Sequence, residues 1–329
     1  MLTHTVASKR TPRFLFRAWS SVSGGNPALN TPQAITPKAF HKGVGKASIH
    51  NYDRGELASL AEGHFNGALV DTPFSSWSGS LAFVLSLALG QGDAWISVID
   101  TKKLLEHNVI LHTTAMGFMG ASLGDHYEFL AFGVITGPAL VAVRSEQLLE
   151  AGATEIYKGA PFPYFQSLAF GGPTDVDNEP RGIRESLTVA QELGRHFGED
   201  FALPIAVYLI SMRHRSAADR TCIVEELGAL TIPNEWAEDA TIMRDAASTG
   251  GLQDTVRAIL LLRTLVKEKL GVSDKAEIEM RKADVKTSLV TTEPKKASAM
   301  TDRVKKCYPR MLADLYIDMI GWEHIGRLA

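Results

Sequence analysis

The sequence predicts an α+β protein, with a mixed N-terminal half followed by a helical C-terminal half. Short runs rich in β-branched and aromatic residues, such as Phe14–Trp19, are typical of the first half. From about residue 183 onward, apolar residues recur at helical spacing instead. Residues 159–182 are crowded with Pro and Gly, which predicts a linker or a wrapped loop. We therefore expect an α+β domain at residues 14–158 and an α-helical domain at residues 183–329.

The first half of the chain is predicted to contain both helices and strands. Residues 53–66 carry apolar side chains at helical spacing, which predicts a helix. Residues 78–89 form an apolar run that begins with serine, a common helix cap, and are predicted to form a second helix. Residues 145–150 also begin with serine and are predicted to form a capped helix. Residues 102–107 are expected to form a short helix or turn. The remaining short apolar runs predict strands at residues 14–19, 74–78, 95–99, 125–135 and 139–143.

In the second half, helices are predicted at residues 183–197, 203–212, 217–227, 252–270 and 302–320. Residues 273–301 are rich in lysine and poor in large apolar residues, which predicts a flexible stretch. Acidic residues interrupt the lysines and no aromatic residue is interleaved before Tyr308, so we interpret this stretch as a solvated face rather than a nucleic-acid site. We expect the helical half to recognise a partner or to form a homodimer, because its helices carry broad apolar stripes.

Composition narrows the class of protein. The chain has 329 residues, 45% of them hydrophobic and 22% charged, with a formal net charge of −3. This charge predicts no bulk attraction to nucleic acid or to an anionic membrane. Two cysteines, without the spacing of a metal site, favour a reducing compartment. Residues 1–13 lack the apolar core of a signal peptide, and the run at residues 81–89 is too short to span a bilayer. We expect a soluble protein of the cytoplasm or nucleus.

One carboxylate stands out in the predicted strand at residues 125–135, which begins polar and continues into apolar residues. This is Glu128, at the polar end of the run. An ionised Glu is costly to bury, so this side chain either points to water or faces a cleft where it has a function. Local sequence alone leaves both alternatives open.

Three separated motifs resemble the Arg–Ser–Glu signature of the ADP-ribosyltransferase superfamily, in its cholera-toxin-like branch. They are Phe16-Arg17-Ala18 in the first strand, the sequence Phe-Ser-Ser-Trp-Ser at Phe74–Ser78, and the run from Glu128 to Ile135. The N-terminal block also resembles an uncharacterised domain that is widespread in fungal proteins. The resemblance covers about residues 14–150. It implies a split α+β domain, with NAD as the substrate that donates ADP-ribose.

The resemblance also implies catalytic roles. Cleavage of the nicotinamide–ribose bond passes through an oxocarbenium-like state, which the carboxylate of Glu128 would stabilise. Ser75 or Ser76 would orient Glu128 and the cofactor, and His126 would contact the acceptor or act as a base. The alternative for the serines is a helix N-cap, for which Ser76 or Ser78 is also a candidate.

The implied cofactor-binding residues are a cation and three aromatic rings. Arg17 would hold a phosphate or the adenosine ribose of NAD, and Trp19, Trp77 and Tyr127 would stack on nicotinamide. A structural ion pair is the alternative for Arg17, and core packing is the alternative for the rings. We find no metal-ligand spacing in the sequence.

Two departures from the family pattern bear on function. His126 stands where relatives that modify arginine carry Glu or Gln, and a tryptophan occurs within the Ser-Thr-Ser motif. The predicted function is that of a transferase that uses NAD as donor, with an unknown protein or small molecule as acceptor, or with water as in an NAD glycohydrolase. The alternative is a non-catalytic module of ADP-ribosyltransferase type that binds a partner.

Overall fold

The computed structural model describes residues 11–21, 26–89, 91–112, 128–154, 156, 182–213, 215–239, 242 and 252–272. Several predictions lie outside these residues: all but the last residue of the linker at residues 159–182, the lysine-rich stretch at residues 273–301 and the helix at residues 302–320. The candidate residues His126 and Tyr127 lie outside them as well.

A six-stranded antiparallel sheet forms the centre of the described structure, in the order β6-β7-β4-β1-β5-β9. Its strands are β1 (Phe14–Trp19), β4 (Phe74–Ser78), β5 (Trp95–Asp100), β6 (Val109–His112), β7 (Glu128–Phe132) and β9 (Leu140–Arg144). A smaller sheet joins β2 (Asn30–Thr31), β3 (Ala34–Ile35) and β8 (Ile135–Thr136). Together with the helices, these sheets make the chain an α+β protein, as the sequence predicts.

The helices pack around the larger sheet. In the first half they are α1 (Asn26–Leu29), α2 (Lys38–His41), α3 (Arg54–Phe65), α4 (Leu81–Ala88) and α5 (Ser145–Glu150). In the second half they are α6 (Ile183–Arg195), α7 (Glu199–Ser211), α8 (Ala217–Leu227) and α9 (Gln253–Leu270). Within the described residues, no helix combines the length and the apolar character that crossing a membrane requires.

The largest apolar core joins the two halves of the chain. Phe16 of β1 meets Tyr208 of α7 edge to face, with ring centroids 4.6 Å apart, and Phe14 contacts both Phe201 and Trp236. This core also contains α4 and buried residues of α6, α8 and α9. The two sides of the predicted boundary at residue 158 therefore share one hydrophobic core. Pairing of two subunits through the helical half stays a prediction.

The opposite face of β1 belongs to another apolar cluster. Side chains alternate along a strand, so Leu15 and Trp19 point away from Phe14 and Phe16. They pack with Trp77 of β4 and Phe129 of β7, all of them buried. The central strands are thus covered on both sides, which explains why β1 is almost continuously apolar around Arg17.

Two predicted elements are corrected by the structure. The strand expected at residues 125–135 is two strands, β7 and β8, separated where Gly133 has a φ of 89°, in the left-handed region that favours glycine. Residues 102–107 form turns, which is one of the two forms predicted for them. The helix expected from residue 203 begins at Glu199, with Pro204 inside it.

Candidate functional site

The candidate site begins where the central sheet splits. In the described residues, β1 pairs with β4 at one position, Phe16 opposite Ser78. Beyond that pair the ladder does not continue, so the carbonyl of Ser76 needs another donor. Arg17 supplies it: its Nη1 donates to the Ser76 carbonyl oxygen over 2.7 Å. The guanidinium therefore sits between two strands of the sheet.

A cleft of about 390 Å³ opens at this split. Its volume lies within the range of small-molecule sites, roughly 300–1,000 Å³. The wall is mostly apolar, with a limited number of polar groups, which is the usual composition of such sites. Its polar or charged lining residues include Arg17, Asn30, Thr36, Lys38, His64, Thr72, Ser75, Ser76, Ser78 and Glu128.

Glu128 and Arg17 are the opposite charges of the cleft. Glu128 begins β7 and lies opposite Ser78 of β4, so β4 stands between the strands that carry the two charges. Burial lowers the pKa of Arg17 from its ordinary value of 12.5 to about 10, and the negative charge of Glu128 opposes part of that change. Arg17 consequently stays cationic at neutral pH, attracted by a carboxylate in the same cleft.

His64 is a site residue that the sequence analysis missed. It lies in the last turn of α3, a helix capped at its start by Asp53, whose side chain accepts from the backbone N–H of Glu56. The Nε2 of His64 is 2.7 Å from Oγ of Ser76. Burial and, secondarily, the charge of Arg17 lower the pKa of His64 from 6.5 to about 4. At neutral pH, His64 is therefore an uncharged imidazole bonded to Ser76.

A sequence signal for His64 exists. It follows the buried residues Leu57 and Ala61 of α3 by seven and three positions, which places it on the same face of the helix. A polar side chain on a helix face that points inward needs a partner. Local sequence does not say that the partner is Ser76, because this pairing depends on how α3 packs against β4.

The two candidate serines have different neighbours. Ser76 contacts His64, whereas the Oγ of Ser75 accepts a 2.9 Å hydrogen bond from Nε1 of Trp77. Both Ser75 and Trp77 are part of the lining, but alternation along β4 puts their side chains on the face opposite to that of Ser76. Trp77 is buried in the apolar cluster of that face. The indole is therefore packed against core residues and forms part of the wall of the cleft.

Trp19 is placed in the core rather than in the lining of the cleft. Its ring is stacked on Trp95, with centroids 5.3 Å apart and planes at 3°, and its Nε1 donates to Oγ of Ser97 over 2.7 Å. These contacts are those of a packed structural side chain. The structure thus does not bring Trp19 to the position expected for stacking on nicotinamide.

The helix cap for which Ser76 and Ser78 are sequence candidates belongs to Ser80. Its side chain accepts from the backbone N–H of Phe83 at the start of α4. The hydroxyl of Ser78 accepts instead from the backbone N–H of Ser80. Across the described residues, no cluster of three or more His, Cys, Asp or Glu side chains could hold a metal ion.

Comparison with known proteins gives one match. The sequence model of a family described as "Domain of unknown function (DUF7587)" matches residues 10–148. This range contains Arg17, His64, Ser76 and Glu128, together with the strands that carry the cleft. The chain matches no curated protein and no solved structure. The N-terminal part of the chain is therefore similar to a family whose function is unknown.

Proposed function

We propose that the cleft binds NAD and that the chain transfers ADP-ribose to a protein or small-molecule acceptor, or to water. The observation that supports this proposal is the convergence of Arg17, Ser76 and Glu128 on one cleft. They come from β1, β4 and β7, three strands in which β4 lies between the other two. The same residue types on three successive elements carry the resemblance to the ADP-ribosyltransferases, whose split α+β domain we propose for this part of the chain.

The reaction needs a charge that is fixed in place. The bond between the ribose and the nicotinamide nitrogen breaks, nicotinamide leaves with the electron pair, and positive charge develops on the ribose. A carboxylate held beside the ribose stabilises that charge because it needs no reorganisation during the reaction. We assign this role to Glu128. The acceptor, or water, then forms the new bond to the ribose and loses a proton.

The surrounding groups fit a positioning role. Arg17 holds the backbone of Ser76 through the carbonyl, and His64 holds the hydroxyl of the same residue. Ser76, a residue of the cleft lining, is thereby fixed from two sides. Arg17 stays cationic, so it can also attract a phosphate of NAD, for which a guanidinium is well suited.

A second candidate function is that of a non-catalytic binding module. The observation that favours it is that Arg17 and Ser76 are already engaged with groups of the protein itself. An arginine that supports the strand backbone explains its position without any reaction. In this alternative the cleft binds a ligand or a partner and does not cleave NAD.

The variant Glu128→Gln tests the proposal, because it removes the charge and keeps the shape. Nicotinamide released from NAD by the full chain is measured with and without protein acceptors, and thermal unfolding checks the fold. We expect the variant to lose about 10²- to 10³-fold in rate, with nearly unchanged stability. The matched control is Glu62→Gln, on the exposed side of α3, which should keep full activity.

Each candidate function makes a different forecast for the unmodified chain. Absence of both NAD binding and nicotinamide release would refute the enzyme proposal. Binding of NAD without release, at every acceptor tried, would support the non-catalytic module. Equal activity of Glu128→Gln and the unmodified chain would remove Glu128 from the mechanism.

A further inference from the structure

Two N–H groups in the lining of the cleft are buried and have no hydrogen-bond partner. In the part of the chain that the structure describes, these are Nε of Arg17 and Nδ2 of Asn30. A buried donor without an acceptor is costly, and most such groups in native proteins are paired. Both orphan groups are donors. A ligand that brings hydrogen-bond acceptors into the cleft would satisfy both donors.

Asn30 differs from Arg17 in charge and surroundings. It opens β2, its backbone is paired with Ile35 of β3, and only 3% of the residue is exposed. Its neighbours Leu29 and Ile35 are buried apolar residues that also line the cleft. Lys38, which also lines the cleft, is paired with Asp71, so a charged phosphate at this wall would lose its hydration without an unpaired opposite charge in return. A neutral carbonyl oxygen on an apolar ring suits an uncharged amide better.

We propose that Asn30 is a specificity-determining residue, which donates its Nδ2–H to the carboxamide oxygen of nicotinamide. This inference rests on the proposed function and names the part of NAD that Asn30 contacts. A carboxamide also has N–H donors, so it can satisfy the oxygen of the Asn30 amide as well. The apolar wall then faces the pyridine ring, and Arg17 is left to bind a phosphate of the dinucleotide.

The variant Asn30→Leu provides the test, because leucine has nearly the shape of asparagine and no polar atoms. Binding of NAD and of ADP-ribose, which lacks the nicotinamide, is measured by calorimetry in the Glu128→Gln background, which prevents turnover. We expect affinity for NAD to fall about three- to tenfold and affinity for ADP-ribose to stay the same. Because the variant removes an orphan donor, its melting temperature should be equal or higher.

The control is Asn51→Asp, a change at an exposed asparagine, which should leave both affinities unchanged. An equal loss for NAD and ADP-ribose, or no loss for either, would overturn the assignment of Asn30. So would a marked fall in melting temperature of Asn30→Leu, because it would show that the amide supports the fold. If neither ligand binds the unmodified chain, the proposed function itself fails.

A second measurement avoids any variant at Asn30. The same titration compares NAD with its nicotinic-acid analogue, in which a carboxylate replaces the carboxamide. An uncharged amide in an apolar wall should prefer the neutral group, so we expect NAD to bind at least about tenfold more tightly. Equal affinities of the Glu128→Gln chain with its native Asn30 for the two dinucleotides would contradict the proposal.

Discussion

Asp254 is a buried carboxylate whose replacement by Asn and by Ala should have different consequences. It lies in the first turn of α9 with 0% of its surface exposed. Its Oδ2 accepts from Oγ of Ser80 over 2.7 Å and from the backbone N–H of Ala82 over 3.2 Å. Its Oδ1 has no hydrogen-bond partner. One oxygen thus makes both of these bonds, and the backbone N–H of Thr255 also favours the charged form of the carboxylate.

These contacts determine how much each substitution should change the free energy of unfolding. Asp254→Asn can keep the bonded oxygen and place an uncharged NH₂ group where the orphan oxygen was, so we expect a change within about 1 kcal/mol. Asp254→Ala removes the acceptor of two donors and leaves the Ala82 N–H buried without a partner. Loss of the hydrogen bond from Ser80 and the unpaired N–H of Ala82 should together cost about 2–4 kcal/mol.

The pH dependence gives an independent check. Burial is the largest cause that raises the pKa of Asp254 above its ordinary value of 3.8, and the hydrogen bond from Ser80 opposes it. Between 3.8 and the raised pKa, the folded chain therefore binds more protons than the unfolded chain. Stability from this group consequently falls as the pH rises through that window. The variant Asp254→Asn should lack this pH-dependent change in stability.

Urea unfolding at pH 7 and at several acidic values measures both effects. The control is Asp53→Asn at the start of α3, where asparagine caps a helix about as well as aspartate. A loss for Asp254→Asn as large as that for Asp254→Ala at pH 7 would refute the reasoning. It would mean that the negative charge of Asp254 itself stabilises the fold. Its attraction to Arg257 would then be the interaction to test.

Two other variants test the electrostatics of the fold. Because the pKa of His64 is lowered to about 4, stability should rise with pH between about 4 and 6.5, by at most about 3 kcal/mol; His64→Gln should remove this dependence in urea titrations, and an unchanged slope would contradict it. The buried guanidinium of Arg13 contacts Asp100 at 3.0 Å and Asp239 at 2.7 Å, so Arg13→Leu should cost about 3–5 kcal/mol in the same assay, because two buried carboxylates lose the cation that contacts both, while Lys102 stays at 3.6 Å from Asp239. A cost below about 1 kcal/mol would show that these carboxylates are stabilised otherwise.

Strong periodic patterns made several elements predictable. β1 is bounded as expected because aromatic and apolar residues flank a single cation in an otherwise unbroken run. Helices α3 and α8 have serine or aspartate caps at their starts and apolar residues at helical spacing. These are local signals, and the sequence contains them in full.

The strands that were missed depend on distant partners. β2 and β3 have two residues each and exist because they pair with each other and with β8. β6 is held against β7 along four residue pairs, from Val109 with Phe132 to His112 with Phe129. No periodicity can be read from two residues, and short strands are defined by tertiary pairing.

The candidate site was predictable where it lies on strong strands. Arg17 and Glu128 stand out in sequence because each is a charge beside an apolar run. Asn30 does not, because asparagine in a segment rich in Gly, Asn and Pro is typical of a turn. Its burial comes from the β2–β3 hairpin, a tertiary feature. The hydrophobic sequence around Trp19 and Trp77 suited stacking on a ligand and core packing equally well. Ser97, the partner of Trp19, lies on a neighbouring strand whose register only the folded sheet defines.

The helical half also contributes to the support of the cleft. Thr255 of α9 donates its hydroxyl to the carbonyl of Gly79 over 2.9 Å, and the neighbouring Asp254 holds Ser80. Gly79 and Ser80 form the turn that follows Ser78, a residue of the cleft lining. A side chain added at Gly79 would approach Thr255 to 3.3 Å, so the two segments are in close contact. The position of β4, and with it the position of Ser76, is therefore supported by residues more than 170 positions away in the chain. Partner recognition by the helical half, if it displaced α9, would act directly on this turn.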